Sequence, residues 1–176
     1  MKIFFLLLVI CVSPVAVAET PNEDQPIQST PRAMLAMGWM FLQGDRVEHD
    51  RAQAEYWFRE SAETGYAPAQ IALASLLYAD AQGGLNPEGV FEARDLLLEA
   101  APAQPPIAAY FLARIYSEGI GIEVDPSLAA QWANIAAAGQ DPAAIMLWQR
   151  LEAQLVPEER DAARQRAVDW LQGLEE

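Results

Sequence analysis

Four segments of this sequence restate one another at intervals of 36, 39 and 35 residues. They are Met37-Gly38-Trp39-Met40-Phe41, Leu73-Ala74-Ser75-Leu76-Leu77, Leu112-Ala113-Arg114-Ile115-Tyr116 and Leu147-Trp148-Gln149-Arg150-Leu151. A period of this size means stacked copies of one supersecondary unit. Within each block the large apolar residues fall three and four apart, which puts one stripe on a helix, here called the A helix. A turn and a second helix, B, follow each time. The turns open with Gly44, Gly83 and Gly119. Gly44 and Gly119 stand where a helix ends in a left-handed residue. Asp50, Asn86 and Asp125 stand where a side-chain oxygen caps the next helix, with Pro87 and Pro126 at the first helical position. Thr30-Pro31 and Asp141-Pro142 repeat that start signal at two A helices.

The small residues Gly38, Ala74 and Ala113 let helices approach closely, as do the alanine pairs of the B helices. One amphipathic helix pair cannot bury its apolar face alone, so stacking is the stable solution. Trp57 and Trp132 recur seven residues after a capping Asp and are expected in the core. The second repeat departs most: its turn, Gly83-Gly84-Leu85-Asn86-Pro87, lacks a Gly-x-Gly-Val run, and Ala101-Pro102-Ala103-Gln104-Pro105-Pro106 is expected to be a stiff extended linker. Trp148 replaces the small residue of the other blocks, which predicts the end of the array. Pro157 to Leu174, with Glu158 and Glu159 in its first turn, predicts a polar-faced capping helix stapled by Trp170.

Residues 1–18 have the layout of a secretory signal peptide: Lys2, an apolar run from Ile3 to Val12, and the small-x-small site Ala16-Val17-Ala18, with cleavage expected before Glu19. The apolar run is shorter than the roughly 20 residues of a spanning helix, so no membrane insertion is expected after cleavage. Residues 19–30 are polar and aperiodic and predict a flexible leader. Lys2 and Cys11 are the only lysine and cysteine, so the exported chain has neither. It keeps ten Arg against 25 Asp and Glu, a net charge of −15. Such acidity argues against nucleic acid and anionic lipid, which are held through Lys and Arg. It keeps an exported protein soluble, or steers it toward a basic partner.

The chemistry-bearing residues are few. Without thiol or lysine, thiolate and Schiff-base catalysis are excluded. His49, the only histidine, lies in a turn between Glu48 and Asp50, and adjacent residues rarely converge on one metal ion. No cofactor, metal or catalytic constellation is legible. Trp39 is different. Its counterparts Ser75, Arg114 and Gln149 are polar, so this position points outward from the A helices. Trp39 is then either a contact anchor or partly buried against the first B helix.

The pattern resembles the Sel1-like repeat family. It is carried by Met37-Gly38, Phe41, Gly44, Val47, Asp50, Ala54, Trp57-Phe58 and Ser61 to Gly65, and again by Tyr116, Gly119, Gly121, Asp125, Ala129, Trp132 and Ala136 to Gly139. The resemblance covers about residues 33–155. It implies an all-α, right-handed α-solenoid of three to four helix pairs over residues 31–156 (about 33–66, 69–104, 108–140 and 143–156), closed by a capping helix over 157–176. It also implies a scaffold or adaptor without an active site. Bacterial exported members are linked to envelope assembly, host interaction and immunity against secreted antibacterial toxins. A cysteine-rich subgroup is tied to cell-wall compounds, and this chain lacks those cysteines. The expectation is a periplasmic or secreted module that binds a protein, a basic toxin among the candidates, through the concave A-helix face. The alternative is an envelope scaffold. On that face Trp39, Tyr78, Tyr110 and Arg114 are the expected partner-binding residues.

Overall fold

The computed structural model describes residues 30–175; the expected signal peptide and nearly all of the leader lie outside them. The described residues form eight helices and no strand: α1 (Pro31–Gln43), α2 (Arg51–Ala62), α3 (Ala67–Gln82), α4 (Gly89–Ala100), α5 (Pro105–Glu118), α6 (Pro126–Ala137), α7 (Pro142–Glu152) and α8 (Pro157–Gln172). The A helices are α1, α3, α5 and α7. Each of α2, α4 and α6 packs against the A helix before it and the one after it, and α1, α3 and α5 also touch in sequence. This is an all-α solenoid.

The helix boundaries follow from side-chain capping. The Thr30 hydroxyl accepts from the Ala33 N–H at 3.2 Å, Asp50 from Gln53 at 3.0 Å, Asp125 from Leu128 at 2.8 Å and Asp141 from Ala143 at 2.9 Å. Each satisfies an amide that the helix itself leaves without a partner. Pro31, Pro126 and Pro142 open their helices, where a missing N–H costs nothing. Gly44 and Gly119 close theirs at φ 71° and 65°.

Close approach explains the small residues. Ala74 and Ala113 are fully buried. A Cβ on Gly38 would lie 2.3 Å from the ring of Phe58, itself fully buried on α2. The core runs through the stack as one cluster, from Phe58 through Leu73, Leu97, Leu112 and Ile115 to Ile135.

Three expectations are corrected. Residues 101–104 do not form an extended linker. Ala101 keeps helical backbone angles, and the N–H groups of Ala103 and Gln104 both donate to the Ala100 carbonyl, which turns the chain tightly into Pro105. Fully buried Ala100 and Ala101 hold that turn in place of glycine. Pro87 lies ahead of α4, not at its first position; Asn86 accepts from the Gly89 N–H at 3.2 Å, and the helix begins there. Trp57 is only half-buried, while Trp132 is 5% exposed. The difference is cover: Trp170 of α8 meets Trp132 edge-on at 5.4 Å, whereas Trp57 has Tyr56 of its own helix at 5.2 Å. The expected capping helix is α8, and it packs on α6. Arg166 fixes it there, donating to Gln131 at 2.9 Å and to the Ser127 hydroxyl at 2.7 Å.

Candidate protein-binding face

Of the expected binding residues, Tyr110 and Arg114 line one cleft on α5, and Trp39 on α1 does not line it. Trp39 is 39% exposed and packs edge-on against Phe58 at 5.1 Å, so it is both open to a partner and supported from α2. Tyr110 is half-buried and meets Phe111 at 5.7 Å. Arg114 is half-buried, with its guanidinium 5.2 Å over the ring of Tyr78.

Tyr78 does not stand on the open face; it is 1% exposed. A helix advances about 100° per residue, so of the pair one turn beyond Ser75, Ala79 faces solvent and Tyr78 points inward. Its hydroxyl donates to Glu118, which also accepts from Gln82 at 2.7 Å and Arg114 at 2.9 Å. Tyr78 therefore stitches α3 to α5 beneath the face and supports Arg114. Burial pushes the Tyr78 phenol well above its ordinary range, with Glu118 adding to it. Burial also raises the Glu118 carboxyl, but the hydrogen bonds from Tyr78, Gln82 and Arg114 outweigh it and hold the group below its usual value.

Between α5 and α7 the face opens into a cleft of 430 Å³ lined by Tyr110, Arg114, Glu118, Met146 and Arg150. Met146 is 69% exposed. Met146 and Arg150 were not singled out from the sequence, although a signal was there. Arg150 stands where the other repeats carry Met40, Leu76 and Ile115, the last two buried. Among the described residues no further A helix covers α7, and that position is exposed and tolerates charge. The cleft arranges an aromatic wall, a thioether, two guanidinium groups and the Glu118 carboxylate, which its three donors already hold. His49 is exposed in its turn, and no group of His, Cys, Asp and Glu among the described residues is placed to hold a metal ion. No described helix is long and apolar enough to cross a membrane.

At the far end Glu152, 6% exposed on α7, accepts two bonds of 2.7 Å from Arg164 on α8. Burial raises its carboxyl, and the donors around it, Arg164 first, together outweigh this, so the group titrates below the ordinary value of 4.5. A depressed folded value means the pair adds stability above the unfolded value and loses it as pH falls through the folded one. Glu118 acts with the same sign. The melting temperature should therefore drop below about pH 4.5, and Glu152→Gln should flatten that drop while lowering the plateau near neutrality. An unchanged acid limb in the variant would rule this pair out as its source.

The Sel1 repeat profile matches residues 31–66 and 106–141, the first and third repeats. The chain is 31% identical over 140 residues to the alginate biosynthesis protein AlgK of Azotobacter vinelandii, covering 80% of this chain and 30% of that one. The AlgK of Pseudomonas syringae pv. tomato gives 31% over 134 residues, 76% of this chain and 28% of that one. The chain thus spans less than a third of the length of these relatives. Among solved structures, a protective antigen of uropathogenic Escherichia coli with an SLR fold superposes with a TM-score of 0.64 at 21% identity, over 82% of this chain and 31% of that one. That likeness concerns the fold alone. A Sel1 repeat protein from Oxalobacter formigenes superposes with a TM-score of 0.55 at 32% identity, over 68% of this chain and 88% of that one. With so much of that protein matched at this identity, and with the repeat profile on both flanking pairs, the chain belongs to the Sel1 repeat family.

Proposed function

We propose that this chain is a non-enzymatic adaptor that holds a partner protein on its A-helix face and serves the assembly of cell-envelope components, outside the cytoplasm. Sel1 repeats are protein-interaction modules, and the likeness to two alginate biosynthesis proteins over more than three quarters of the chain supports an envelope scaffold. The observation that carries the reading is that Tyr110 and Arg114, large side chains at positions the repeat does not require, line an open cleft on α5, while Trp39 is exposed on α1. Aromatic and Arg side chains contribute most to protein interfaces, whereas serine and alanine contribute little.

A second reading is an immunity protein against a secreted antibacterial toxin. It is favoured by the acidity: a net charge of −14 draws a basic partner at long range.

The test is capture of partners from an envelope extract, followed by titration of the purified partner. Trp39→Ala and Tyr110→Ala should each weaken binding by about 2 kcal/mol, roughly 30-fold, with the melting temperature lowered by only a few degrees. The opposite pattern, stability lost and affinity kept, would place the partner elsewhere. A captured polysaccharide-assembly protein favours the scaffold, and a captured toxin the immunity reading.

A further inference from the structure

The α5–α7 cleft is not isolated. A second cleft of 410 Å³ lies beside it, walled by Pro106, Ile107 and Phe111, and the two share Tyr110 and Ala143. Together they form one trough with an apolar end and a cationic end. Ile107, half exposed, marks the first; Arg114 and Arg150 mark the second. Arg114 is committed to Glu118 at 2.9 Å, but Arg150 makes no ion pair among the described residues. In a chain where acidic residues outnumber basic ones by more than two to one, an arginine left without a carboxylate inside a cleft is a local positive spot.

The geometry sets the spacing of what fits. Ile107 and Arg114 are seven residues apart on α5, about 10 Å at the helical rise, and Arg150 lines the same end of the trough as Arg114. An extended segment covers that distance in about three residues at ~3.3 Å each.

We propose that the trough takes an extended segment of the partner protein, with an apolar side chain seated at the Ile107–Phe111 end and an Asp or Glu side chain about three residues away on Arg150. This rests on the reading that the A-helix face binds protein. An Arg–carboxylate pair is directional as well as charged, so it sets the register of the segment, while Tyr110 walls the middle. Asp141 lines the apolar end and repels a carboxylate there, which fixes the polarity of binding. The overall acidity does not oppose this. Of the 25 carboxylates, Glu118 and Asp141 line the trough; Glu118 is already held by Arg114, Tyr78 and Gln82, and the Arg150 contact lies well inside a Debye length of about 8 Å.

The test is selection of a random heptapeptide display library on the purified protein. Enriched peptides should share an apolar residue and an Asp or Glu two to four positions apart. Arg150→Glu should bind the best of them at least tenfold more weakly at an unchanged melting temperature, and an Asp/Glu→Lys peptide should regain affinity for that variant. If Arg150→Glu lowers the melting temperature, Arg150→Gln replaces it in the same titration. A consensus without an acid, no consensus, or equal binding by the Arg150 variant overturns the proposal. Should that happen while Tyr110→Ala still abolishes partner capture, the acidic anchor alone fails and the face remains the binding surface.

Discussion

Replacing Phe58 with alanine should cost about 3–5 kcal/mol, or roughly 6–20 °C in melting temperature for a chain of this size. Phe58 is fully buried, lies over Gly38 where no Cβ fits, and carries Trp39 on its edge at 5.1 Å. Its loss opens a cavity between α1 and α2 and removes the support of Trp39. Thermal unfolding measures the first effect, and a red shift in tryptophan emission the second. The same contact predicts coupling. Gly38→Ala overpacks by about 1–3 kcal/mol in the native chain and should cost much less beside Phe58→Leu, because the atoms that collide are those of the ring. Additive losses would show that the 2.3 Å approach is not what demands glycine.

Trp132→Ala should cost about 3–5 kcal/mol as well, and clearly more than Trp57→Ala. The two tryptophans hold one motif position, yet Trp132 is 5% exposed beneath Trp170 and Trp57 is half open. Removing Trp132 also takes away the seat of α8, so limited proteolysis should cut within Pro157–Gln172 of the variant before it cuts the native chain. Equal losses from the two substitutions, or an α8 that stays protected, would contradict the role given to the C-terminal helix.

What was legible in the sequence was what local chemistry decides. Thr30, Asp50, Asp125 and Asp141 cap the helices they were expected to cap, and Gly44 and Gly119 adopt the left-handed conformation. What was not legible depended on neighbours from other repeats. Tyr78 and Ala79 are adjacent, and only the packed stack shows that the first is interior and the second exposed. Trp57 and Trp132 are indistinguishable until α8 is seen to cover one of them. The run from Ala101 to Pro106 looked extended because proline disfavours helix before it, yet Ala101, directly before Pro102, keeps helical angles, and the Ala103 and Gln104 N–H groups close the turn on the Ala100 carbonyl. Arg150 was legible as an exception to the apolar pattern, and its meaning depended on its exposed place in the α5–α7 cleft.

The central claim is that the A-helix face is where a protein partner sits. Amide hydrogen exchange on the complex with a captured partner tests it most directly. Binding should slow exchange on the A helices, above all in α5 and α7 and around Trp39 in α1, and leave α2 and α4 as in the free protein. Protection confined to α2, α4 and the acidic turns, with α5 and α7 unchanged, would contradict it.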